Sequence, residues 1–286
     1  MNRTSHAVWS IALPAALTNM ATALFGIADI WVIGRLGDPA AQGAVELGAK
    51  FMMGLLVSFN FLRTSTIALT AQATGSGETD AQAETLARAL AVAVGIGLVL
   101  LAGMPWAVPA GLGWLGATGA LAAPAHDYVA IRYWAGPAWL VNAALTGWLI
   151  GQRRVKSVLA VEVVSNLAHI ALDVLFVLGL HLGVSGVAAA TVLSELVKLA
   201  LLAAIAARHA AARHVLSRFA TRSTWQADAL GRLFALNRDL FVRTILLTGA
   251  MLVFARAGAN QGAVVLAANG ILFQLFMVAT MLLDGF

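Results

Sequence analysis

The sequence predicts an all-α polytopic membrane protein, and three features carry that prediction. Hydrophobic residues make up 60% of the chain and charged residues 11%, against roughly 25% charged in a soluble domain. Apolar runs long enough to cross a bilayer, ~20 residues, recur along the chain, and none alternates with the period of two that a transmembrane β-barrel needs. The basic residues stand at the ends of these runs, so the net charge of +5 reads as a topology signal and excludes a nucleic-acid partner. The chain has no cysteine, which removes disulfides and thiol-based metal or redox chemistry. The first apolar run is too long for the core of a cleavable signal peptide.

The first span covers about 8–33, with Pro14 in its first half and Asn19, Thr22, Gly26 and Asp29 on one helical stripe. Gly34 to Pro39 reads as a turn. A second span covers about 44–71, where Glu46 and Lys50 (i, i+4) pair near the membrane surface. Residues 75–84 read as a polar loop. The third span, about 86–108, ends at Pro105 and Pro109. Residues 111–123 form a loop with room for a short interfacial helix. The fourth span, about 128–150, carries Pro137 and three tryptophans, Trp134, Trp139 and Trp148, suited to interfacial or lumen-facing positions. The fifth covers about 158–180 and the sixth about 187–207. A basic segment, 208–222, follows, then a seventh span at about 236–255 and an eighth from about 263 onward. With the N-terminus inside, eleven basic residues of the connections fall on the cytoplasmic side and only Arg35 and Arg256 outside, which orients the chain by the positive-inside rule.

The fifth span carries the pattern that matters most. Glu162, Asn166, His169 and Asp173 are spaced i, i+4, i+7, i+11, so a helix sets all four on one face. A lone charged residue at the centre of a membrane helix costs roughly 2.5–3.5 kcal/mol on insertion scales. Such a stripe therefore faces a partner helix or a water-filled cavity, and here it reads as the core of an ion or substrate site. Asp29 is a second intramembrane acid. On the sixth span Thr191, Glu195 and Lys198 share a face. The bland readings are a Glu195–Lys198 pair that neutralises itself and a Glu162 that partners the nearby Arg153, Arg154 and Lys156.

Residues 42–49 read QGAVELGA and residues 261–268 read QGAVVLAA, an offset of 219 residues, each at the turn between two spans. If this is a repeat, residues 1–222 form a six-helix lobe with its basic linker. Residues 223–286 then begin a second lobe with two of its helices, and the chain is truncated relative to the whole.

The segment 28–37, ADIWVIGRLG, resembles the end of helix one in multidrug and toxin extrusion (MATE) transporters. The segments 172–177 and 186–191 resemble helices five and six of that family. Residues 237–244 and 282–286 resemble its DNA-damage-inducible protein F (DinF)-like branch. The resemblance implies twelve helices in two lobes, of which this chain holds six plus two. It also implies an antiporter of the bacterial inner membrane, exporting organic cations or drugs in exchange for H⁺ or Na⁺. No cofactor beyond that ion, no metal centre and no enzymatic role are expected, and the chain is expected to be a monomer. Asp29 and Asp173 match the family's N-lobe carboxylates, and Thr191 a threonine lining the same pocket. Asn19, Asn142 and Asn166 are taken as pocket-lining. His169 stands where family members often carry Asn; it can take a proton, and a protonated His opposes a bound Na⁺. The alternatives are a lipid-linked oligosaccharide flippase of related architecture, which needs cations such as Arg63, Arg132, Lys198 and Arg243 in its cavity, and a non-transporting remnant. Asp29, Asn166, His169, Asp173 and Thr191 are expected to converge on one cavity, because acids buried separately would each stand unpaired in lipid.

Overall fold

In the computed structural model, which describes residues 27–235 and 238–283, every element is helical. Asn19, Pro14 and the rest of the first span before residue 27 lie outside the described residues. Helix α1 is seen over 27–34 and turns at Gly37, whose φ of +64° suits glycine. Asp38 then caps α2 (Pro39–Val57): its carboxylate accepts from the Ala40 N–H at 2.8 Å, with proline at the first helical position. After a break at 58–60, α3 (Phe61–Gly75) follows, so the expected second span is two helices in one rod.

The expected polar loop at 75–84 shrinks to a tight turn at Gly77 (φ +76°), and α4 (Thr79–Leu115) begins at once. This helix does not stop at Pro105 and Pro109, as the sequence suggested, but runs through both and ends at Gly116 in the left-handed conformation. Two prolines cost α4 two backbone donors, a loss membrane helices tolerate when neighbouring groups re-satisfy the freed carbonyls. The expected loop before the fourth span is also mostly helix: α5 (Ala122–Arg132) and α6 (Gly136–Gly151) join through a single 3₁₀ turn, Tyr133–Ala135. Helix α7 (Val155–Asp173) continues as a π-helical stretch, Val174–Gly179. Then come α8 (Gly183–Ala207), two short helices α9 (Ala210–Arg213) and α10 (Val215–Phe219), α11 (Ala227–Ala235), α12 (Arg238–Asn260) and α13 (Ala263–Leu283).

Among the described residues, five stretches are long and apolar enough to cross a membrane, including 39–75, 79–115, 155–179 and 183–207. Their outer faces carry bare Leu98, Val99, Trp106 and Leu167, the pattern of helices whose outer solvent is lipid. Inside, α6 lies among α3, α4 and α8. That central position explains why Trp148, expected at an interface or lumen, is fully buried and donates its indole N–H to the Gln82 carbonyl at 3.0 Å. Trp134 is exposed, and Trp139 lines a cavity described below.

The last two helices pack on α2. Leu47, Leu115 and Leu121 meet Ala255, Ala259 and Leu266, and the two similar octamers touch: a side chain at Gly43 would meet the Ala263 carbonyl and Leu266. The Glu46–Lys50 pair forms at 3.3 Å, but packed inside the protein: Lys50 is 7% exposed and its Nζ lies 3.0 Å from the centroid of the Phe273 ring on α13.

The basic segment is tied to the turn ends of the bundle. Arg218 bonds Asp80, Ser223 donates to Glu84 at 2.8 Å, and His209 stands edge-on to Trp148. Burial, reinforced by the charge of Arg154, holds the His209 pKa below the ordinary histidine range. The 75–79 turn and the 208–222 segment therefore share one end of the molecule. With the N-terminus inside, cysteines placed at Ser76 and Ser217, both exposed, are expected to be shielded from an impermeant thiol reagent in intact cells. Labelling of either from outside would reverse the orientation.

Candidate functional site

The polar stripe of α7 points inward. Ser165, His169 and Asp173 are buried, while Val163, Val164 and Leu167 on the opposite side are exposed. The π-helical turn begins directly after Asp173, a feature found often at functional sites in helices.

Three titratable groups from two distant parts of the chain meet here. The His169 Nε2 lies 2.8 Å from Asp29 Oδ1 and 2.9 Å from Asp173 Oδ2. Its Nδ1 lies 3.1 Å from the Ser194 hydroxyl on α8. That hydroxyl has one proton and gives it to the Thr191 carbonyl at 2.9 Å, so Oγ accepts from Nδ1–H. With Nε2 facing two carboxylates, both ring nitrogens face acceptors, the arrangement that holds an imidazolium; this protonation is assigned from the network. Nε2 has one hydrogen, and Asp29 Oδ1 and Asp173 Oδ2 both stand within reach of it. Asp173 is fully buried, and beyond this contact neither of its oxygens accepts a hydrogen bond. A buried carboxylate that shares its one donor with a second acid is costly, and a proton or a cation relieves the cost. Ligand atoms of Asp29, His169 and Asp173 lie within 4.8 Å of one another, so these three are the described residues able to hold a small cation.

Beside the triad a cavity of about 310 Å³ opens between α2, α5, α7 and α8. Met52, Met53, Leu56 and Val57 form an apolar wall; Asn166, Thr191, Glu162, Glu195, Lys198 and Arg132 supply the polar one. A smaller pocket of about 60 Å³ shares Trp139, Glu162 and Lys198 with it and adds Arg63 and Asn142. The structure thus brings Asp29, His169 and Asp173 into contact and sets Asn166 and Thr191 on the neighbouring cavity, with Asn142 on the smaller pocket. Thr191 spends its hydroxyl on the Val187 carbonyl at 3.0 Å. Asn19 lies outside the described residues.

Two pairings differ from those expected. Glu162 does not reach the Arg153–Lys156 cluster; it grips Lys198 across α7 and α8 at 2.7 and 2.8 Å. Glu195 does not pair with Lys198; it accepts from the Asn142 amide at 2.8 Å. Sequence proximity favours local partners, but α7 and α8 pack with their polar faces together, and the cross-helix distance is the shorter. Both members of the Glu162–Lys198 pair are about one-fifth exposed. Glu162→Ala is therefore expected to destabilise by roughly 1–3 kcal/mol, between exposed and buried pairs. The Glu162→Ala/Lys198→Ala double variant should lose less, because no lone ammonium remains. Thermal unfolding in detergent checks this, and a double variant weaker than either single would refute the pairing.

Ser194 and Tyr128 were not singled out by sequence reading. A signal for Ser194 exists: 191, 194, 195 and 198 complete one polar face of α8. Tyr128 carries none. Its ring fits because Gly48 on α2 has no side chain; a Cβ there would collide with the edge of the Tyr128 ring.

Comparison with known proteins gives consistent relatives. The family model MatE matches residues 14–175. DNA damage-inducible protein F of Escherichia coli (strain K12) is 34% identical over 286 residues, 100% of this chain and 62% of that protein. Protein DETOXIFICATION 43 of Arabidopsis thaliana is 30% identical over 162 residues, 57% of this chain and 29% of that protein. A solved inward-facing conformation of a multidrug resistance MATE family transporter of the MOP superfamily superposes with a TM-score of 0.84 at 20% identity, over 97% of this chain and 62% of that one. The chain spans less than two thirds of the length of these relatives.

Proposed function

The chain belongs to the MatE family, and from that premise we propose that it serves a secondary antiporter that exports organic cations or drugs and takes up H⁺ in exchange. The observation that carries the reading is Asp173, fully buried and sharing the His169 Nε2, at 2.9 Å, with Asp29, which lies 2.8 Å from the same nitrogen. In this scheme residues 1–222 are one lobe with its linker and residues 223–286 begin a second.

A proton arriving from outside settles on the Asp29–Asp173 pair and removes one negative charge from a site that holds two. The carboxylates then no longer need to bracket the imidazolium, and α1 and α7 repack. Repacking closes the adjacent cavity and expels its occupant. Loss of the proton to the cytoplasm restores the charge and resets the site. Proton and substrate bind against each other through one coupling free energy, the requirement for exchange. Protons suit this site better than Na⁺, because a charged His169 would repel the metal ion.

The test is export of a fluorescent organic cation from proteoliposomes holding the purified protein. With an inward proton gradient, dye leaves the vesicle lumen; a protonophore stops it, and an equal Na⁺ gradient does not replace it. Export driven by Na⁺ alone, or none under either gradient, would defeat the proposal.

A further inference from the structure

We propose that the chamber bounded by α2, α5 and α8 prefers zwitterionic amphiphiles, with Arg132 taking an acidic group, Glu195 an amine, and the methionine wall the apolar body. The inference rests on reading this cavity as the substrate chamber and adds its chemical selectivity.

Charges in the chamber fall into two sets. Glu162 and Lys198 neutralise each other with two short contacts. Arg132 and Glu195 line the same cavity and do not. Among the described residues, no carboxylate lies within ion-pair distance of Arg132, and no cationic side chain within that distance of Glu195.

Each of these two is instead tied to a neutral partner. Arg132 bonds the Tyr128 hydroxyl, with its guanidinium 5.5 Å from the Tyr128 ring centroid. Glu195 is held by the Asn142 amide, which bonds both its carboxylate (2.8 Å) and its backbone carbonyl (3.0 Å). Tyr128 is itself fully buried. These partners hold the two charges in place without cancelling them.

Two opposite charges kept apart in a partly desolvated chamber gain most from a ligand that bridges them. A simple cation satisfies Glu195 and leaves Arg132 beside it unpaired, or is repelled by it. A simple anion has the converse problem. A molecule with both groups meets both, and a guanidinium offers a carboxylate two parallel donors. Met52 and Met53, with Leu56 and Val57, give the apolar part of the ligand an adaptable surface.

The test uses a rhodamine ester, which is a cation, and the same rhodamine with its ester hydrolysed, which is a zwitterion. Binding of each to the purified chain is read by fluorescence polarisation. The zwitterion is expected to bind tighter by about fivefold or more. Arg132→Gln should erase that preference by weakening the zwitterion alone, Arg132→Lys should keep its direction, and Glu195→Gln should weaken both dyes. Unchanged melting temperatures establish that the variants fold. The proposal fails if the ester binds as well as the zwitterion, or if Arg132→Gln weakens both dyes alike, since the arginine would then act only through Tyr128. It also fails if neither dye binds. Proton-driven export of a simple cation in that case still supports the antiporter reading, so the two failures are distinguishable.

Discussion

Asp173→Asn is expected to cut proton-driven dye export by tenfold or more, about 1.4 kcal/mol or more in barrier terms, while the protein stays folded and in the membrane. The substitution is isosteric and replaces a fully buried carboxylate, whose oxygens have no hydrogen bond beyond the His169 contact, with a neutral amide. It removes the charge that a proton would cancel. The native carboxylate carries a desolvation cost, and Asp29 still faces the imidazolium after the change, so the variant should unfold close to the wild-type temperature. That combination separates a coupling role from a structural one. A structural carboxylate would lose stability and transport together; a coupling carboxylate loses transport alone. Dye export from proteoliposomes and thermal unfolding on the same preparation decide it, and normal, pH-dependent export by Asp173→Asn would take this residue out of the mechanism.

Gly147→Val is expected to be among the most damaging apolar substitutions in the bundle, at about 1–3 kcal/mol, the range for forcing bulk into a packed interior. Helices α3 and α6 touch through Gly147 and Gly151, one turn apart on α6. A Cβ at Gly147 would lie 2.6 Å from the Arg63 carbonyl oxygen, and one at Gly151 would lie 2.5 Å from Thr70 Cβ. The first obstacle is backbone, which cannot rotate aside, so the helices must separate. Small residues one turn apart are the usual means of bringing membrane helices into such contact. For a chain of this size 2 kcal/mol corresponds to a fall of roughly 4–8 °C in melting temperature. Gly103→Ala on α4, where a Cβ meets nothing within 4 Å, is the matched control and should be neutral or slightly stabilising. Equal losses for the two would show that α3 and α6 do not rely on this contact.

The helical, membrane-spanning class and most of the spans are legible in the sequence, because both follow from composition and local periodicity. A run of apolar residues is read one window at a time, and so is the stripe that sets Glu162, Asn166, His169 and Asp173 on one face of α7. Helix boundaries were less legible where local signals conflict. Pro105 and Pro109 are strong breakers in water, yet α4 passes through them, since in a membrane a helix is the cheapest way to keep the remaining backbone groups bonded.

Sequence reading missed the partners of Glu162 and Glu195, although it expected Glu46 with Lys50 and Asp29 near His169 and Asp173. Glu195 with Lys198, and Glu162 with the arginines after α6, are the nearest partners along the chain. The fold brings α7, α8 and α6 together and exchanges those partners for Lys198 and Asn142. It also delivers Asp29 to His169 across 140 residues and sets Ser194 behind the ring. The sequence by itself therefore determined the membrane class, most of the spans and the inward face of α7. Only the tertiary structure decided which charge meets which, because electrostatic and hydrogen-bond energies depend on a few ångströms between side chains, and helix packing sets those distances.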